Sequence, residues 1–301
     1  VIHHVLAEAA PRERLDRAVA AAFPLWLPSR AAAKAACKRG EVLVEGAPAE
    51  PSRFVAGGDT LTLCPRADDP HRVYPAVLTV LHEDDAIAVV LKPPGLPVSG
   101  NRHRTLAHAL AANLAPSPRP DALPRPQPAH RLDAPTSGLV LVGKTASALA
   151  ALGRAFVERR VDKRYRALVV GYLAGEGRVD APIDGAEAQT EYLALAHTRA
   201  LRTEWITELE LRPLTGRTHQ LRRHLAGLGH AIMGDRPYGD PRTTLRGQGL
   251  FLAATALSLA HPDDGARLSV AIEPPAKFRS LVAREARRWR RVAASGADQP
   301  A

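Results

Sequence analysis

The pattern that most constrains this chain is a series of short strand-like runs, irregularly interleaved with a few helical stretches, between positions 86 and 272. The runs are AIAVVL (86–91), GLVLVG (138–143), YRALVVG (165–171), TELEL (207–211), FLAATALSLA (251–260) and RLSVAI (267–272). Helical periodicity falls at about 105–114, 145–159 and 218–228. Parallel sheets need a helical crossover after nearly every strand, and no such βαβ series is present. The pattern therefore predicts an α+β fold over a doubly wound sheet. Residues 115–128 carry Pro at 116, 118, 120, 124, 126 and 128, which excludes a helix and predicts an extended surface loop. Near the C-terminus, KFRSLVAREARRWRR (277–291) places Phe278, Leu281, Val282 and Trp289 on one apolar stripe, the pattern of a docked surface helix with a basic outer face.

A smaller unit precedes this region. Residues 12–24 place Leu15, Val19, Ala22 and Phe23 on one helical face, and Pro24 ends the helix. Ser29 reads as the N-cap of a second helix over 30–39. Its Arg30, Lys34 and Lys38 recur every four residues and share a face with Arg39 beside them, uninterrupted by an acid. EVLVEGAPA and AGGDTLTL then read as strands with turns. The expected organisation is a small domain over 12–64, a polar linker over 65–76, a large domain over 77–292 and a disordered tail over 293–301.

Charge narrows the partners. Of 301 residues, 41 are Lys or Arg and 31 are Asp or Glu, a formal net charge of +10 that attracts polyanions, of which nucleic acid is the commonest. Cys37 and Cys64 have neither metal-ligand spacing nor a disulfide framework and read as small buried hydrophobes. No apolar run reaches the length of a membrane span, and the first residues lack a signal peptide's three-part pattern. A reduced, soluble, cytoplasmic protein is expected.

Two segments are dense in reactive side chains. In AHRLDAPTSGLVLVGK (129–144), Asp133 lies in a loop bounded by Pro135 and Gly138, just before a strand. A lone Asp in such a place is most often a turn former or helix cap. In LTGRTHQLRRHLAGLGHAIMGDRPYG (214–239), Arg217, Arg222, Arg223, His219 and His224 gather at a helix start, where they suit phosphates or a carboxylate. His219 and His224 lack the spacing of a zinc-binding helix. Ser137, His130 and Asp133 nominally form a hydrolase set, but Ser137 is not in a nucleophile elbow. KPPGLPVSG (92–100) is not a phosphate loop, and no dinucleotide fingerprint appears.

Together these segments resemble the RluA family of pseudouridine synthases. The resemblance runs through His130-Arg131-Leu132-Asp133 with Thr136-Ser137-Gly138-Leu139, then Lys163-Arg164-Tyr165-Arg166-Ala167. It continues in Leu214-Thr215-Gly216-Arg217-Thr218-His219-Gln220-Leu221-Arg222 and in Gly234-Asp235 with Tyr238-Gly239. EDDAIAVVLKPPGLPV (83–98) is similar to the family's entry strand and Lys-Pro turn, and Ala231 stands where the family often has Pro. Residues 12–64 separately resemble the small RNA-binding domain shared with small-subunit ribosomal protein four. The resemblance implies the pseudouridine synthase fold, a mixed, largely antiparallel sheet flanked by helices and loops, with a small N-terminal α/β RNA-binding domain.

It also implies the chemistry: cleavage of the uridine glycosidic bond, rotation of the uracil and rejoining through carbon 5. Asp133 takes the place of the family's catalytic carboxylate, as nucleophile or base. Tyr165 takes that of the active-site Tyr, which stacks on the base and can accept the carbon-5 proton. Arg222 takes that of the basic partner, which would keep the carboxylate ionised and oriented. RNA contacts are expected from Arg30, Lys34, Lys38, Arg39, Arg131, Arg217 and His219, with Arg102 and Arg104 as candidates to fill the vacated stack. Substrate and product are isomers, so no cofactor, nucleotide or metal is expected. The expected partner is large-subunit ribosomal RNA, with tRNA as the alternative, and the expected state is a monomer. The rival of another class is a non-catalytic RNA-binding or ribosome-assembly factor.

Overall fold

The computed structural model describes all residues except Leu25, Pro28, 65–72, Asn101, 241–246 and 298–301. Most of the expected linker, and the end of the expected tail, lie outside the described residues. The chain divides into two compact units, Val1–Arg72 and Val73–Ala301.

The first unit contains strands β1 (Ile2–Val5), β2 (Glu13–Arg14), β3 (Val42–Val44), β4 (Ala47–Pro48), β5 (Phe54–Val55) and β6 (Thr60–Leu63), and helices α1 (Leu15–Ala22) and α2 (Arg30–Lys38). Its sheet has the order β1-β6-β3-β4, all antiparallel, so it includes a strand upstream of residue 12. Leu15, Val19 and Phe23 of the first helical segment pack with Ala33, Ala36 and Cys37 of α2 onto Val42, Val44, Leu61 and Leu63. Ser29 Oγ accepts from Ala32 N and caps α2, as the sequence predicts. The basic helix face is not uniformly available. Arg30 bonds Asp16, and Arg39 makes two 2.6 Å bonds to Glu41, whereas Lys34 and Lys38 stand exposed.

The second unit is built on one large sheet of β7 (Thr79–Glu83), β8 (Ile87–Lys92), β9 (Ala122–Pro128), β10 (Ser137–Thr145), β11 (Asp162–Val170), β12 (Glu176–Val179), β13 (Thr190–Ala200), β14 (Glu204–Pro213), β15 (Leu252–Ala260) and β16 (Arg267–Ala271). The main order is β12-β13-β14-β11-β15-β10-β8-β7, with β16 beside β15 and β9 beside β10. Among these pairs only β10 with β15 is parallel. The helices are α3 (Leu106–Leu110), α4 (Ala146–Val157), α5 (Gln220–Gly227) and α6 (Lys277–Ala297).

All nine residues of β10 are buried because both sheet faces are covered. Leu139 and Leu141 point to a core with Ala148, Leu152 and Ala155 of α4. Val140 and Val142 point to the larger core, which includes Leu106, Leu225, Phe278 and Leu281 from the other three helices. Phe278 and Leu281 of the predicted apolar stripe thus dock α6, and Trp289 farther along it holds the Arg199 guanidinium 5.3 Å from its ring centroid, with Trp205 at 4.0 Å.

The Pro-rich segment departs from expectation. Its second half is β9, paired with β10 in the register Val142↔Pro128 and Gly143↔Gln127. Pro124, Pro126 and Pro128 alternate, so their missing donors all lie along one edge and the other edge remains free to pair. The strand-like runs of the sequence also do not include β7, β12 and β13. The Ala- and Leu-containing β13 acquires its character from pairing along its length with β14.

Candidate active site

The loop carrying Asp133 enters β10 at Gly138, whose φ of +127° is open to glycine alone, and where an added Cβ would lie 2.2 Å from Ala254 O. This close approach lets β10 run parallel to β15 and sets the loop at the N-terminal end of this interior strand. Three further devices hold it. Thr136 N donates to Asp133 O at 3.0 Å and closes a turn. His130 Nε2 accepts from Leu141 N at 3.0 Å, and burial, with the Lys163 charge adding, pushes this imidazole down to about 4, so it stays a neutral acceptor.

The third device is Lys92, fully buried at the end of β8. Its Nζ donates to the carbonyls of Pro93 (3.0 Å), Leu96 (2.8 Å) and Ala134 (3.1 Å), and Gly95 N also donates to Ala134 O at 2.7 Å. The Lys-Pro turn and the Asp133 loop therefore share one carbonyl. Burial pushes the Lys92 ammonium down to about 8, while the Asp133 charge acts in the opposite sense. Lys92→Met should leave these carbonyls without their charged donor, costing on the order of 3 kcal/mol. The expected result is a lower urea midpoint with a parallel fall in turnover. An unchanged midpoint would show that the shared carbonyl does not support the loop.

The Asp133 side chain is only 16% exposed, and Arg222 Nη1 lies 3.3 Å from its Oδ2. Oδ1 has His219 Nε2 at 3.9 Å, beyond hydrogen-bonding distance, so one carboxylate oxygen keeps its lone pairs. The remaining edge of Arg222 is held in a fork by Asp235, with Nε to Oδ2 at 2.7 Å and Nη2 to Oδ1 at 2.9 Å. Asp235 is itself completely buried, and its Oδ1 accepts from Tyr238 N at 3.3 Å. The Tyr238 ring covers Arg222 at 5.1 Å, and its hydroxyl bonds His219 Nδ1 at 2.8 Å. His219 holds the left-handed conformation (φ +57°) at the start of α5, turning its ring out of the helix.

Tyr165 lies on β11 opposite Leu211 and Ala254. Burial, and then the Asp133 charge, push its phenol well above the ordinary tyrosine value. Tyr165 is therefore held as a neutral phenol in the field of the carboxylate, a state that suits contact with a base better than proton abstraction.

Gln220 ties the approach to α5. Its Oε1 accepts from Thr215 Oγ1 at 2.7 Å and from Arg217 N at 3.0 Å, and its Nε2 donates to Gln189 O at 2.8 Å and Thr190 Oγ1 at 3.0 Å.

The structure thus gathers Asp133, Arg222 and His219, with Tyr165 near enough to feel the Asp133 charge. It disperses the rest of the predicted cationic cluster. Arg217 Nε bonds Glu187 O, Arg223 bonds Asp184, and buried His224 lies between Thr190 Oγ1 and Ala181 O. Arg131, Arg102 and Arg104 are exposed loop residues. Asp235, Tyr238 and Lys92 had no role assigned from the sequence, although each stands in a segment of recognisable pattern. Among the described residues, no three metal-ligating side chains converge at this site.

A sequence profile described as RNA pseudouridylate synthase matches residues 86–227. An "Uncharacterized RNA pseudouridine synthase" of Aquifex aeolicus is 34% identical over 297 residues, covering 89% of this chain and 92% of that protein. The "Ribosomal large subunit pseudouridine synthase D" of Nitrosomonas europaea is 36% identical over 279 residues, covering 84% and 78% respectively. Among solved structures, "Human RNA Pseudouridylate Synthase Domain Containing 1" superposes with a TM-score of 0.56 at 26% identity, covering 66% of this chain and 84% of that one.

Proposed function

This chain belongs to the RluA family of RNA pseudouridine synthases, and from that membership we propose that Asp133 is its catalytic carboxylate, acting on a uridine of large-subunit ribosomal RNA. The enzyme isomerises uridine: the bond from C1′ to N1 breaks, one from C1′ to C5 forms, and a proton leaves C5 while N1 gains one. The observation that carries the site assignment is Arg222, which touches Asp133 with one nitrogen while Asp235 fixes the other two.

An ionised carboxylate with one oxygen paired and one open suits attack on C1′, or removal of a sugar proton, at a partly desolvated centre. Arg222 aims the group. Tyr165, neutral and buried, supplies a face for the turned uracil. His219, bonded to Tyr238, lines the approach to Oδ1. The target uridine must leave its stack to reach this depth, and the exposed Lys34 and Lys38 of the first unit give the RNA a second, sequence-independent grip.

The ribosomal target is supported by the names of the similar proteins, several of which are large-subunit synthases. Carbodiimide mapping of uridines in total RNA from a strain lacking the gene tests it. Loss of a pseudouridine from large-subunit RNA, restored by wild-type protein, is expected. Loss from tRNA alone would overturn the ribosomal assignment.

A further inference from the structure

At the other end of β8 from Lys92, about 20 Å of strand away, two hairpin turns meet. His82 near the end of β7 and Asp84 in the turn to β8 lie against His261, which follows β15. His82 Nε2 is 2.8 Å and His261 Nε2 is 3.0 Å from the same oxygen, Asp84 Oδ2. Among the described residues this is the one place where three His, Cys, Asp or Glu donor atoms lie within 4.8 Å of one another.

The surroundings match those of a ligand set. Asp84 Oδ1 accepts from Ala86 N (2.7 Å) and Ile87 N (2.8 Å), which fixes the carboxylate with Oδ2 turned to the two imidazoles. His261 Nδ1 lies 3.3 Å from Asp263 N and 3.4 Å from Asp264 Oδ1, so either neutral tautomer finds a partner. With the proton on Nδ1, Asp264 becomes the outer carboxylate that orients a ligating histidine. Two cations beside this corner are paired: Arg119 with Asp263 at 2.6 Å, and Lys144 Nζ with Glu83 Oε1 and the Asp84 carbonyl, each at 2.7 Å.

We propose that His82 Nε2, His261 Nε2 and Asp84 Oδ2 form a binding site for a borderline divalent metal ion of the zinc type, which braces the β7–β8 and β15–β16 hairpins. Bonds of about 2.0–2.1 Å in a tetrahedron require donors about 3.3 Å apart, so the two nitrogen–oxygen spacings of 2.8 and 3.0 Å need open by only a few tenths of an ångström. Water completes the fourth position. Two imidazoles and one carboxylate favour zinc, cobalt or nickel over magnesium or calcium, which prefer oxygen donors. The site is remote from Asp133 and takes no part in the isomerisation.

The test uses the full chain without a polyhistidine tag, stripped with a chelator and titrated with Zn²⁺ or Co²⁺. One equivalent should bind, with visible absorption of four-coordinate Co²⁺ and a higher Tm. His261→Ala and the isosteric Asp84→Asn should each abolish the Co²⁺ spectrum, and Asp264→Asn should weaken binding about tenfold. All three should retain pseudouridine formation, which also reports that they are folded. Absence of binding by the wild type, or equal binding by wild type, His261→Ala and Asp84→Asn, would overturn the proposal.

Discussion

Asp133→Asn is expected to lower pseudouridine formation on the order of 10⁴-fold or more, the scale of loss when a nucleophile or its equivalent is removed, while leaving RNA affinity within about twofold. Asparagine keeps the shape of the side chain and can still face Arg222. It has no charge and no oxygen nucleophilic enough for C1′, nor basic enough for a sugar proton. In the proposed reading the grip on RNA comes from exposed cations such as Lys34 and Lys38, so binding should survive. A single-turnover assay on a transcript containing the mapped uridine, with filter binding in parallel, separates the two. Activity within tenfold of wild type would remove Asp133 from the chemistry.

Arg222→Met should have the largest effect on stability. The change removes the cation from two carboxylates, one of them Asp235 with no exposed surface. Leaving a buried charge unpaired costs about 3–5 kcal/mol. Turnover should fall by roughly 10²–10³-fold as Asp133 loses its orienting partner. The double change Arg222→Met with Asp235→Asn distinguishes the two roles. It removes the stranded charge, so the urea midpoint should recover most of its loss while turnover stays low. Recovery of both would mean that Arg222 serves the fold alone. Recovery of neither would mean that Asp235 does more than hold the guanidinium.

The parts legible in sequence were those whose pattern is local. Ser29 announces α2 because a cap needs only its own hydroxyl and the amide three residues on. The apolar runs announce β8 and β10 because strands buried on both faces do not alternate. The ordered motifs around Asp133, Tyr165 and Arg222 point to one chemistry. Less legible was β9, where six prolines suggested a loop and a free edge of β10 made a strand of the last three. The even-handed cluster of Arg217, Arg222, Arg223, His219 and His224 was equally opaque. Sequence spacing puts all five near one helix start, yet only the direction of each side chain decides which carboxylate it meets.

By itself, then, the sequence determined the fold class and the reaction, since each rests on residue types in a fixed order, and it singled out Asp133 as the carboxylate proposed for the chemistry. Tertiary structure alone decided what surrounds that carboxylate. Asp235 lies 102 positions beyond Asp133, and Lys92 lies 41 before it, so no local pattern links them. Folding brings them within reach because Gly138 lets β10 lie against β15, α5 turns Arg222 inward, and a buried ammonium finds carbonyls from two loops. An ion pair in a desolvated site depends on distance and burial, and both are properties of the packed chain.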